Sequence, residues 1–156
     1  MTRLQSSPGG QVYGSLKAGE IHPELILPWP DGLLSPNERP HWRDKHPVVK
    51  AAREQAWGHA RLAGWHHLKL PEGRLHLWLD FYPPTLGRRD DDNLVGSMKP
   101  ARDGIAQALG IDDSRFKTHP DLKKEVRKGG EVRIRITAES EALNGDVCVD
   151  TRLHDF

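Results

Sequence analysis

The clearest periodic pattern lies in residues 74–82 (R-L-H-L-W-L-D-F-Y), where apolar and polar residues alternate. The apolar residues at 75, 77, 79 and 81 share one face of an extended chain, because side chains two residues apart point the same way. Pro83 and Pro84 end the pattern. The sequence thus predicts a strand with one buried face, and a short apolar run at residues 24–29 predicts an earlier strand.

Between these strands, apolar residues recur at steps of three and four, the period of a helix. The predicted helix starts at Pro47, which suits the first helical position, and ends at Gly64, which suits a helix C-terminus. Residues 31–46 before it have the prolines and scattered cations of a loop. The apolar stripe of the helix consists of Val49, Ala52, Ala56, Ala60 and Ala63, and is widened by Trp57 and Leu62.

A second helix is predicted from Pro100 to Leu109, with Gly110 as its terminator. Proline disfavours helical geometry in the residue before it, so residues 93–98 are expected to form a separate turn. The residues expected to face inward are Ala101, Ile105, Ala108 and Leu109.

The last predicted elements are two strands, residues 116–127 and 131–137, joined as a hairpin around Lys128, Gly129 and Gly130. The element order is then β-α-β-α-β-β, which is typical of a single α/β (α+β) domain with a mixed sheet. The chain has no internal repeat and no glycine-rich phosphate-binding motif, so no nucleotide cofactor is expected.

Composition fits a soluble protein of one domain, with 36% hydrophobic and 29% charged residues in 156. Its one cysteine, Cys148, excludes an internal disulfide and fits a reducing compartment. No apolar run approaches the ~18 residues of a membrane helix, and no signal peptide is recognisable. We therefore expect a cytoplasmic protein without a membrane partner, with a flexible extension at 1–20, a folded domain at 21–138 and a C-terminal tail at 139–156.

Two acidic clusters are candidates for a functional site: R-R-D-D-D-N at residues 88–93, and Asp112–Asp113. If the chain is still extended after its strand, Asp90 and Asp92 face one site while Asp91 points away. Asp113 would return to the same end of the sheet, because strand-helix-strand units bring their loops together. A solvated acidic turn is the alternative interpretation.

Converging carboxylates call for a cation, because two of them ~4 Å apart repel by about 4 kcal/mol at an effective dielectric near 20. Carboxylate oxygens suit Mg²⁺ or Mn²⁺. In a phosphodiesterase such an ion polarises the phosphoryl oxygen and lowers the pKa of the attacking water. A nearby lysine would stabilise charge in the transition state.

Cations lie in two groups that could follow a phosphate backbone. The predicted loop before the first helix carries Arg39, Arg43 and Lys45, and residues 117–135 carry seven Lys/Arg against three acids. An exposed polar loop and charges that protect a sheet edge are the alternative interpretations. The residues predicted to contact DNA are Arg39, Arg43, Lys45, Arg88, Arg89, Lys123, Lys124, Arg127 and Lys128.

From about residue 24 to 137 the chain resembles the RusA family of Holliday-junction resolvases, homodimeric Mg²⁺-dependent endonucleases found largely in phages and prophages. The resemblance rests on the order of L-I-L-P-W-P (25–30), Pro36-Asn37, R-R-D-D-D-N-L (88–94), Lys99 four residues before Asp103, Asp112-Asp113, and K-G-G-E-V-R-I-R-I (128–136).

The resemblance implies a RusA-like fold, a Mg²⁺ ion (possibly Mn²⁺) held by Asp90, Asp92 and Asp113, and Lys99 as the catalytic lysine. It also implies a homodimer acting on branched DNA in a bacterial host, encoded by a phage or prophage. One departure is that Lys99 lies seven residues after Asp92, where the family usually has four.

Three hypotheses follow. The first is a structure-selective endodeoxyribonuclease that resolves four-way junctions by paired nicks. The second is a non-catalytic phage DNA-binding protein that keeps the RusA-like fold, which the displaced lysine favours. The third is a cation-stabilised structural site, in which metal would raise the melting temperature without any affinity for DNA.

Overall fold

The computed structural model describes residues 23–138, and the predicted extension at 1–20, the predicted tail at 139–156 and Cys148 lie outside this range. Within it the chain forms one mixed α/β domain. Its strands and helices are β1 (Leu25–Pro28), α1 (Trp42–Leu62), β2 (Leu75–Tyr82), α2 (Asp91–Ser97), α3 (Lys99–Leu109), β3 (Phe116–Leu122) and β4 (Glu131–Ala138). Short 3₁₀ turns occur at Gly32–Leu34, Trp65–His67 and Asp113–Arg115.

The four strands form one mixed sheet in the order β1-β4-β2-β3. Ile134 in β4 pairs antiparallel with Leu25 of β1 on one side and with Leu79 of β2 on the other. β3 runs parallel to β2, with Phe116 opposite Leu75. The predicted mixed sheet is therefore confirmed, and β2-α2-α3-β3 forms the parallel crossover that the strand-helix-strand argument required.

The predicted hairpin of the last two strands is wrong, because β2 lies between β3 and β4. Gly129 and Gly130 do form a turn, with φ of 77° and 73°. β3 contains Pro120, which has no amide hydrogen for a ladder and suits an edge strand. β4 has no proline and alternates strictly in burial, so it can pair on both sides. Lys123, Lys124, Arg127 and Lys128 therefore lie in the connection that carries the chain past β2, not in a hairpin.

The first helix starts earlier than predicted, at Trp42 instead of Pro47. His41 caps it: His41 Nδ1 accepts a hydrogen bond from the Arg43 amide at 3.2 Å, and the His41 carbonyl accepts one from the Asp44 amide at 2.9 Å. Pro47 lies in the second turn, where its missing amide hydrogen removes one bond. Residues 42–46 are thus helical, so that Arg43 and Lys45 of the predicted basic loop lie in the helix and Arg39 lies before it. Gly64, with φ of 80°, follows the helix end as predicted.

The interruption predicted before Pro100 is confirmed. α2 ends at Ser97, α3 begins at Lys99, and Met98 caps both helices with φ of −89° and ψ of 1°. Pro100 lies in the first turn of α3, where its missing amide hydrogen costs nothing. Gly110 ends α3 in the left-handed region, at φ of 73°.

The core lies between the sheet and the helices α1 and α3. The inward residues of β1, β2 and β4 pack with Ala56 and Ala60 of α1 and with Ile105 of α3. Leu62, expected in the apolar stripe of α1, is 88% exposed instead. Across residues 23–138, no helix is long and apolar enough to cross a bilayer.

Candidate active site

Asp90 is the N-cap of α2. Its backbone is extended (φ −95°, ψ 118°), and its Oδ1 accepts a hydrogen bond from the Asp92 amide at 2.9 Å. Asp91 and Asp92 already belong to the first helical turn, so the expectation of an extended chain through Asp92 is wrong. Aspartate is a favourable N-cap residue, and acids in the first turn are stabilised by the helix dipole. Both effects favour a helix that begins directly after Asp90.

Lys99 lies at the centre of an ion-pair cluster. Its Nζ is 2.5 Å from Asp113 Oδ2 and 2.9 Å from Asp103 Oδ1. Arg102 Nη2 lies 3.2 Å from the same Asp113 oxygen. α3 presents Lys99, Arg102 and Asp103 on one face because they are three and four residues apart. Asp113 joins them because the chain turns back at Gly110.

The cluster shifts the protonation equilibria of its members. The hydrogen bond from Lys99 holds the pKa of the Asp113 carboxyl below its usual range, against a smaller opposing effect of burial. The same bond, with the one to Asp103, raises the pKa of Lys99. Lys99 is therefore a cation and Asp113 an anion at neutral pH.

The donor chemistry of Asp90, Asp92 and Asp113 fits a hard divalent cation, because all three offer carboxylate oxygens. The Asp92 carboxylate forms no ion pair or hydrogen bond with other residues in 23–138. Over the same residues, however, no three His, Cys, Asp or Glu side chains are grouped so that they could hold a metal ion. The metal centre remains a prediction.

A recess adjoins Asp90. It has a volume of about 180 Å³, and Arg89, Asp90 and Asn93 line it together with Trp29. A larger apolar cavity of about 440 Å³ shares Trp29, Pro30, Asp31 and Ser97 with the recess. It extends to Pro47 and Val48 of α1. The acidic end of α2 and the second turn of α1 therefore border two adjacent depressions.

The cations between β3 and β4 differ in how far their charge is compensated. Lys123 Nζ lies 2.6 Å from Asp121 Oδ2, and Arg127 bonds Glu125 and Glu131 at 2.5 and 2.8 Å. Lys124 and Lys128 are exposed and have no ion pair among the described residues.

Of the remaining predicted DNA contacts, Arg89 lines the recess beside Asp90. The Arg89 guanidinium donates to the Thr85 carbonyl at 2.9 Å and lies 5.4 Å from the centre of the Trp29 ring. Arg39, Arg43, Lys45 and Arg88 form no ion pair within residues 23–138. Among the predicted DNA contacts, these four, with Lys124 and Lys128, have a positive charge that no described acid compensates.

Sequence analysis missed two members of the Lys99 cluster. Asp103 was used only to describe the position of Lys99 in the family resemblance, and no role was predicted for Arg102. The signal was available, because residues three and four positions after Lys99 on a predicted helix share its face.

No family model matches the chain. It is similar to an uncharacterized protein from Xylella fastidiosa (strain Temecula1 / ATCC 700964), with 55% identity over 123 residues that cover 78% of this chain and 80% of that protein. Since the identity is high and extends over most of both sequences, the chain belongs to the same protein family as this X. fastidiosa protein.

Proposed function

We propose that this protein is a Mg²⁺-dependent, structure-selective endodeoxyribonuclease of the RusA type, which resolves four-way or related branched DNA by paired nicks. The observation that carries the proposal is the contact of Lys99 with Asp113. These residues are fourteen positions apart, and they match the lysine and the last acid of the family resemblance.

In this proposal Asp90, Asp92 and Asp113 would hold the metal ion, which would supply an activated water and polarise the scissile phosphate when bound. Mg²⁺ is commonly bound by one or two carboxylates, with phosphate oxygens and water completing its shell. A complete set of protein ligands in the free chain is therefore not required. Lys99, kept protonated by its raised pKa, stabilises the negative charge that develops on the phosphate.

The partners follow from the same reaction. Resolving a junction requires two symmetric nicks, and a homodimer with two-fold symmetry supplies two sites. The cations at 39, 43, 45, 88, 124 and 128, which form no ion pair with the other described residues, would contact DNA phosphates on each subunit. The setting we propose is the cytoplasm of a bacterial host, with the protein encoded by a phage or prophage.

The test is cleavage of a synthetic four-way junction by the wild type and three variants, each of which loses one charged side chain. Asp92→Asn should abolish nicking in Mg²⁺, whereas Asp91→Asn removes the same charge from the same helical turn and should retain it. Lys99→Met should slow nicking about a hundredfold, the typical effect of removing one electrostatic stabiliser. The proposal is wrong if the wild type nicks no branched DNA in Mg²⁺ or Mn²⁺, or if Asp92→Asn nicks as fast as the wild type.

A second function is favoured by one observation. No group of three acids suited to a metal occurs within residues 23–138. A non-catalytic DNA-binding protein with this fold would bind junctions in EDTA with a steep dependence on salt, and would form no product with any metal. The cleavage assay separates the two functions.

A further inference from the structure

We propose that Trp42 and Arg43, in the first turn of α1, form a platform on which an unstacked base of branched DNA stacks. The inference rests on the proposed function, because it takes branched DNA as the partner. It adds a contact to the base itself, where the cations alone provide contacts to phosphates.

Trp42 is the most exposed aromatic side chain among residues 23–138. It is 66% exposed, whereas Trp65 is fully buried and Trp57 is 38% exposed. Trp42 does not belong to the hydrophobic core. Its ring contacts are with its own neighbours: the His41 ring at 5.8 Å between centroids and the Arg43 guanidinium at 5.5 Å from the ring centre. Packing within the described chain therefore does not explain a tryptophan at this position.

The charge around Trp42 suits a nucleic acid. Arg39, Arg43 and Lys45 lie within three residues of it and form no ion pair with the other described residues. Lys123 and Arg127, by contrast, are neutralised by their own acidic neighbours. An aromatic ring set among free cations is the arrangement by which proteins bind single-stranded nucleic acid, since the cations contact phosphates while the ring stacks on a base.

Trp42 lies in the first turn of α1, and the second turn of this helix reaches the larger cavity. Trp42 precedes Pro47 by five residues, about 7.5 Å along a helix axis. Pro47 lines the larger cavity, which shares four lining residues with the recess beside Asp90.

The ligand class follows from the geometry of stacking. Bases within a duplex are covered on both faces, whereas bases at a branch point or in a single strand have a free face. The platform should consequently contribute to binding of branched and single-stranded DNA, and little to binding of duplex DNA.

The experiment measures binding of a fluorescent four-way junction, a single strand and a duplex in EDTA, so that cleavage does not interfere. Trp42→Ala should weaken junction and single-strand binding about five- to hundredfold, the range for loss of one stacked base, and change duplex binding less than twofold. Trp42→Phe should retain most of the affinity. Trp57→Ala is the matched control, because Trp57 is also a partly exposed tryptophan of α1 with an arginine, Arg61, 5.1 Å from its ring centre.

A direct readout comes from 2-aminopurine placed at the branch point, whose fluorescence should be quenched by the wild type and Trp57→Ala but not by Trp42→Ala. The inference is overturned if Trp42→Ala binds the junction as tightly as the wild type, or if it weakens duplex binding to the same extent. Wild-type protein that binds no DNA would overturn the inference and the proposed function together. Tight binding that depends on Trp42, without any nicking, would support the platform and exclude the nuclease.

Discussion

Gly104 allows the close approach of α1 and α3. A Cβ atom at this position would lie 2.1 Å from the Arg53 carbonyl oxygen and 3.1 Å from the Trp57 amide nitrogen, both backbone atoms of α1. Ordinary van der Waals contacts begin at 3.4 Å, so the two helices would have to move apart by about 1 Å. Backbone atoms cannot rotate away as a flexible side chain can.

The change Gly104→Ala therefore sets two effects against each other. Alanine in a helix interior is favoured over glycine by about 1 kcal/mol. Overpacking costs about 1–3 kcal/mol, and forced separation of two backbones places this site at the upper end. We expect a net loss of about 2 kcal/mol in the free energy of unfolding, which corresponds to a fall of about 8 °C in Tm for a domain of this size.

Gly58→Ala in α1 is the matched control, because a Cβ at Gly58 meets no atom within 4 Å. It should raise the free energy of unfolding by about 0.5–1 kcal/mol, through helix propensity alone. Urea unfolding and thermal melting of both variants give the comparison. A stabilising effect of Gly104→Ala similar to that of Gly58→Ala would refute the close helix contact.

Two further predictions concern charged groups. Because the pKa of Asp113 is lowered in the folded chain, the unfolded chain takes up the proton at higher pH. The stabilisation is therefore complete above the ordinary aspartate pKa and is lost as pH falls through the lowered value. In urea unfolding at several acidic pH values, the free energy of unfolding of Asp113→Asn should depend less on pH than that of the wild type. Asp80 is buried beside Arg135 at 3.3 Å and Lys123 at 3.9 Å, so Asp80→Ala should lower the free energy of unfolding by about 1–3 kcal/mol. Asp121→Ala removes the exposed partner of Lys123 and should leave the free energy of unfolding in urea almost unchanged. If Asp80→Ala and Asp121→Ala lowered it equally, burial would not explain the effect of Asp80.

The strands were predictable where alternation alone defines them. β2 and β4 each bury every second residue, and their sequences show this period directly. Their pairing was not predictable from the turn, because Gly129 and Gly130 reverse the chain without fixing which strand lies beside β4. The choice depends on the crossover through α2 and α3 and on the edge position that suits Pro120.

The helices show a similar division between what the sequence reveals and what packing decides. Ala56 and Ala60 were assigned to the buried face of α1, and both are fully buried. Leu62 was added to that face on hydrophobicity alone. It lies two residues after Ala60, about 200° around the helix, and so points to solvent. The early start of α1 was missed because the cap is a histidine, a residue outside the usual set of capping side chains.

The position of Lys99 depends on a feature that spacing alone does not reveal. Seven residues would be two turns of one continuous helix, but the interruption that Pro100 predicts is present, and Met98 separates α2 from α3. Met98 is 3% exposed and lines the apolar cavity with Ser97 and Ala101. Its packing therefore fixes the direction in which α3 leaves α2. Asp90 and Asp92 belong to α2, whereas Lys99 reaches Asp113 from α3, so the buried hinge at Met98 sets the geometry between the two halves of the candidate site.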